Sequence, residues 1–138
     1  MILLDTSGLL AALDASQRSH ALAASKLATA GPPLLLSPFV LAELDYLIGS
    51  RVGEGPRTSL LAEVARDAYL LEPMSGADVA QACEIIEQYA DLALSLADAS
   101  IVVLARRHRT RDVLTLDERH FRILTLGGHP FRLLPADD

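Results

Sequence analysis

Met1-Ile2-Leu3-Leu4-Asp5-Thr6 opens the chain and runs straight into Ser7-Gly8-Leu9-Leu10-Ala11-Ala12-Leu13-Asp14. The first stretch is a short apolar run, which reads as a buried strand over residues 1–6. The second has helical length and composition, which reads as a short helix from Ser7 to Asp14. A strand buried on both faces belongs to a sheet with helices on both sides. The acid that closes the run is the exception. Asp5 inside an apolar segment is costly to bury without a partner, so it asks for a functional explanation.

The same alternation continues along the chain. His20 to Thr29 is read as a helix, broken by Gly31-Pro32-Pro33. Leu34-Leu35-Leu36 is a second strand. Ser37-Pro38 is a helix start, with Ser as N-cap and Pro at the first helical position, leading to a helix that lasts until Gly49. Further helices are expected from Pro56 to about Asp67, from Ser75 to Tyr89 and from Ser95 to His108. Leu70-Leu71 and Asp112–Leu116 read as strands, and Phe131–Leu134 as an edge strand ended by Pro135. The fold class expected is α/β, a three-layer α/β/α sandwich with a mainly parallel central sheet. At 138 residues, with 51% hydrophobic content, the chain suits one domain spanning 1–138.

Composition removes several functions. No apolar run reaches the roughly 20 residues of a membrane helix, and Met1–Asp5 has no signal-peptide character. A cytoplasmic protein is expected, with no membrane partner. The single Cys83 cannot form an internal disulfide and is read as a small buried residue of its helix. A net charge of −6 argues against broad capture of nucleic acid, and 4% aromatic content leaves few platforms for stacking bases. The arginines do cluster: Arg106, Arg107, Arg109 and Arg111 lie around His108, with Arg119 and Arg122 after them. They suit a phosphate-binding rim. Arg106 and Arg107 equally suit the negative end of a helix dipole.

Four acids stand where strands and helices deliver side chains to one sheet edge. Asp5 and Asp117 end strands, Asp98 lies in the first turn after Ser95, and Glu43 lies about one and a half turns into the helix after Pro38. In a βαβ fold these ends share an edge, where ligands bind. Each acid also has an ordinary explanation. Ser95-x-x-Asp98 fits a capping box, Asp117 suits the opening of a turn, and Glu43 suits an exposed helix surface. Carboxylates gathered without lysine repel one another unless a cation sits between them. Oxygen ligands of this kind select Mg²⁺ or Mn²⁺ over zinc. His20, His108, His120 and His129 show no zinc spacing and are read as scattered surface residues. Thr6, Ser7 and Thr115 lie beside the acids as hydrogen-bonding support or as local caps. Asp91, seven residues before Asp98, is read as structural.

These segments resemble the PIN-domain family. Asp5-Thr6-Ser7-Gly8-Leu9-Leu10-Ala11 is similar to its opening motif, and Ser37-Pro38-x-Val40-x-Ala42-Glu43-Leu44 to its second acidic motif. Leu96-Ala97-Asp98-Ala99-Ser100-Ile101 resembles the third, and Leu114-Thr115-Leu116-Asp117-Glu118-Arg119-His120-Phe121 the fourth. The length resembles the free-standing VapC-type toxins of that family. The resemblance implies a Mg²⁺- or Mn²⁺-dependent endoribonuclease with Asp5, Glu43, Asp98 and Asp117 as catalytic metal ligands and Thr115 in support. It also implies an RNA substrate, a cognate VapB-type antitoxin and a homodimer. Three other readings compete. One is a PIN-like module that binds RNA or a partner without cutting, and another is a PIN nuclease of RNA maturation. The third is an aspartic protease, suggested by Asp5-Thr6-Ser7-Gly8 but opposed by the helical run that follows it.

Overall fold

The computed structural model describes residues 1–138. Three strands of three residues each form its centre: β1 (Ile2–Leu4), β2 (Leu34–Leu36) and β4 (Asp112–Leu114). β3 (Leu70–Leu71) and β7 (Arg132–Leu134) form the edges, giving the order β3-β2-β1-β4-β7. Every pairing in this sheet is parallel, with Leu3 opposite both Leu35 and Val113, and Leu114 opposite Leu134. Leu3, Leu35, Val113, Leu114 and Leu133 have no exposed surface, which is why the strands carry unbroken aliphatic runs.

Helices flank the sheet: α1 (Thr6–Leu13), α2 (His20–Thr29), α3 (Pro38–Arg51), α4 (Glu54–Ala65), α5 (Gly76–Gln88) and α6 (Leu96–His108). Right-handed crossovers in a parallel sheet place such helices on both faces, and the expected α/β/α sandwich stands. The α3 N-cap is as expected, Ser37 Oγ accepting from Phe39 N at 3.2 Å. Ser75 with Asp78, and Ser95 with Asp98, each form a capping box. α6 is the central helix. Its residues Ala99 to Ala105 are all buried, and it packs on β1, α3 and α5.

Several boundaries differ from the sequence reading. β1 stops at Leu4, because Asp5 is already the N-cap residue of α1 and Thr6 its first helical residue. β4 stops at Leu114, and Thr115 to Asp117 turn away to bond with α1 and α7 (Glu118–Phe121). α3 continues through Gly49 to Arg51, and α4 begins at Glu54. A small antiparallel hairpin, β5 (Thr125–Leu126) with β6 (His129–Pro130), turns on Gly127 and Gly128. Their positive φ values of 57° and 81° explain the glycines.

Cys83 is a correction. It is exposed, because α5 turns Ala82 and Ile85 inward instead. Val79, one turn before Cys83 on the same side of α5, is likewise exposed, at 40%.

Candidate metal centre

The sheet order reverses between β1 and β4, and the crevice beyond their C-terminal ends is where an open parallel sheet accepts a ligand. Asp5 sits on that edge, its backbone N–H donating to Leu114 O at 3.0 Å. Gly8 permits the close approach of α1, since a Cβ at this position would overlap the Leu114 carbonyl. The hydroxyls of Ser7 and Thr115 both donate to Asp5 Oδ2, at 2.7 and 2.6 Å. Leu116 N donates to Ser7 Oγ at 2.9 Å and Asp117 N to Thr115 Oγ1 at 2.9 Å. The two hydroxyls therefore bind the first acid to the loop that carries the last.

Asp5 is only 3% exposed and has no cationic partner. Burial pushes its carboxyl up to about 6. The hydroxyl bonds from Thr115 and Ser7 oppose that shift, and the charges of Asp98 and Asp117 add to it. Those two carboxylates are therefore close enough to act on Asp5. Asp98 caps α6, its Oδ2 accepting from Ser95 N at 3.0 Å. Asp117 caps α7, its Oδ1 accepting from His120 N at 3.0 Å. For both residues the capping explanation is geometrically true, and both also face the site.

His120 is the residue that the sequence reading misplaced. It is not a scattered surface histidine: its side chain is 16% exposed, with Nδ1 2.8 Å from Asp117 Oδ2 and 3.6 Å from Asp98 Oδ2. Ligand atoms of Asp98, Asp117 and His120 all lie within 4.8 Å of one another. Nδ1 is buried, yet it makes no hydrogen bond. The signal was Asp117-x-x-His120, a pair that shares a face only if the segment is helical, as α7 is.

Neither Asp5 nor Glu43 is in this close group. Glu43 lies farther out. It is exposed on α3, and its side chain makes no ion pair within the chain. What ties its helix to the site is the buried bond of 2.7 Å between Ser37 Oγ and Ser100 Oγ, which joins the N-cap of α3 to the second turn of α6. Asp91 is exposed in the single 3₁₀ turn Ala90–Leu92.

The arginine rim is partly corrected. Arg122 grips Asp137 at 2.8 and 2.7 Å and also Glu118, holding Asp137 down at about 2. Arg107 binds Asp78 and Glu72. Of Arg119 and Arg122, the two that follow Asp117, Arg119 is exposed without a partner. A cavity of about 430 Å³ adjoins the site, lined by Leu22, Thr115, Leu116 and Pro135 among others. A slightly larger one of about 460 Å³, containing Arg109, Arg111 and Arg132, lies at the N-terminal ends of β4 and β7, remote from the carboxylates.

The donor set suits a divalent cation. Asp5 has no counter-charge, both of its hydroxyl bonds fall on Oδ2 rather than Oδ1, and His120 Nδ1 has no hydrogen-bond partner. The parallel α/β framework rules out the aspartic protease, whose paired Asp loops belong to an all-β fold.

Comparison with known proteins agrees. The PIN domain pattern matches residues 2–124. Ribonuclease VapC26 of Mycobacterium tuberculosis (strain H37Rv) is 42% identical over 135 residues, covering 97% of this chain and 100% of that protein. The crystal structure of VapC20 of M. tuberculosis, described as a sarcin-ricin loop cleaving toxin, superposes with a TM-score of 0.79. It covers 85% of this chain and 90% of that one at 23% identity, a likeness of fold. The chain belongs to the PIN-domain family, and its 42% identical relative there is a VapC ribonuclease.

Proposed function

We propose that the chain is a Mg²⁺- or Mn²⁺-dependent endoribonuclease, the toxin of a pair whose antitoxin is of the VapB type. The observation that carries this is the buried Asp5, without a cation of its own, beside Asp98 and Asp117. The name of its 42% identical relative, a VapC ribonuclease, points the same way. Asp5, Asp98 and Asp117 would hold the metal, with the exposed Glu43 as the outer carboxylate. A bound cation supplies an acidified water and neutralises charge on the phosphate.

The chain's own residues do the positioning. Ser7 and Thr115 fix the Asp5 carboxylate through Oδ2. The capping bonds hold Asp98 and Asp117 at the starts of their helices. Arg119 steadies an RNA phosphate, and the cavity lined by Leu22, Leu116 and Pro135 receives a neighbouring nucleotide. Water attacks phosphorus in line and the 3′-oxygen leaves, giving a 5′-phosphate and a 3′-hydroxyl. A VapB-type antitoxin blocks the acidic pocket with an inserted arginine. The protein acts as a homodimer in the cytoplasm, burying apolar side chains such as Tyr46, which is 72% exposed in one copy.

The test is cleavage of cellular RNA by purified, antitoxin-free protein with Mg²⁺ or Mn²⁺, beside EDTA and Asp98→Asn. Asparagine keeps an oxygen to accept from Ser95 N, so the helix cap survives while the charge is lost. Metal-dependent cleavage absent from the variant is expected. Folded, metal-loaded protein that binds RNA and leaves it intact would make the chain a non-cleaving module.

A further inference from the structure

We propose that His120 is itself a ligand of the cation, through Nδ1, so that the centre is a mixed oxygen–nitrogen site that discriminates for Mn²⁺ against Mg²⁺. This rests on the metal-dependent reading above and adds a donor that the four-carboxylate pattern lacks.

Three observations carry it. First, the spacing fits. Neighbouring ligands of an octahedral ion with bonds near 2.1 Å stand about 3 Å apart. Nδ1 stands 2.8 Å from Asp117 Oδ2 and 3.6 Å from Asp98 Oδ2. Second, Nδ1 is buried and within ion-pairing distance of Asp117 Oδ2, yet it lacks the alignment of a hydrogen bond to it. A buried nitrogen left so is unfavourable, and a cation on its lone pair removes the penalty. Third, the backbone that carries the ring is held in place. His120 N donates to Asp117 Oδ1 at 3.0 Å, and the next residue, Phe121, is fully buried edge-on to Phe131. Asp117 and His120 thus stand one helical turn apart on a segment anchored in the core.

An imidazole nitrogen suits the transition ions, whereas Mg²⁺ prefers oxygen alone. The ring is therefore expected to set metal preference, with the carboxylates providing most of the charge.

The experiment is pulsed electron paramagnetic resonance of Mn²⁺ bound to the full chain, beside calorimetric titration with Mn²⁺ and with Mg²⁺. Wild type is expected to show a directly bonded ¹⁴N coupling, replaced by a ¹⁵N pattern when the protein carries [¹⁵N]histidine. In His120→Ala the coupling disappears, and Mn²⁺ affinity falls roughly tenfold or more, while Mg²⁺ affinity changes less. Stoichiometric Mn²⁺ with only oxygen surroundings in wild type would overturn the assignment of His120 and leave the carboxylate reading standing. No Mn²⁺ binding at all would instead overturn the metal-dependent reading, and this inference with it. The wild-type spectrum decides even if His120→Ala does not fold.

Discussion

Asp5 shows how one side chain links stability to function. Burial raises its carboxyl to about 6 in the metal-free fold, above the ordinary value near 4 in the unfolded chain. Its contribution to stability is therefore fully present below about pH 4 and is lost as pH rises through 6. The loss approaches about 3 kcal/mol. Asp5→Asn removes that pH dependence. With EDTA present, the variant should equal wild type near pH 4.5 and exceed it at pH 7.5, as urea melts would show. Equal stability at both pH values would contradict a charge buried without a partner. Thr115→Val acts through the same carboxylate by deleting a donor to Asp5 and an acceptor for Asp117 N. A loss of about 1–3 kcal/mol is expected. Weakened Mn²⁺ binding should accompany it, and unchanged Mn²⁺ titration would deny Thr115 its supporting role. At this scale the sequence was partly legible. An acid in an apolar strand announces itself, but His120 does not, because its partner lies three residues away and α7 had been read as a bare turn.

Elements place these residues, and here the alternation of short aliphatic runs with helices was enough. Leu34–Leu36 and the Ser37-Pro38 start signal became β2 and α3 as read. The misreadings fall where local pattern is weakest. A four-residue helix has too little periodicity to recognise, so α7 was missed. Cys83 reads as buried from its small size, but α5 buries Ala82 and Ile85 as it packs on α6 and leaves Cys83 exposed. α7 itself supports a prediction. Phe121→Ala removes its anchor, with an expected destabilisation of roughly 3–5 kcal/mol. Because Asp117 and His120 ride on that helix, metal affinity should fall in the folded fraction as well. Retained affinity in a destabilised variant would show that the helix is positioned by its cap alone.

For the whole molecule, the net charge of −6 and the presence at the rim of one exposed arginine free of an acidic partner, Arg119, imply that few phosphates are neutralised on binding RNA. Substrate affinity should therefore fall gently with salt, with a log–log slope of roughly −1 to −2, and a slope near −6 would reveal a basic surface elsewhere. The cavity holding Arg109, Arg111 and Arg132 would be the first place to look. No helix is long and apolar enough to cross a membrane. The central claim is that a metal-loaded carboxylate site directs water at an RNA phosphodiester. The most direct measurement is end-group analysis of RNA cleaved in H₂¹⁸O with Mn²⁺. The account predicts one ¹⁸O in a new 5′-phosphate, a 3′-hydroxyl opposite it, and cleavage of a strand that carries 2′-deoxyribose at the scissile position. A 2′,3′-cyclic phosphate without ¹⁸O, formed equally well in EDTA, would contradict it.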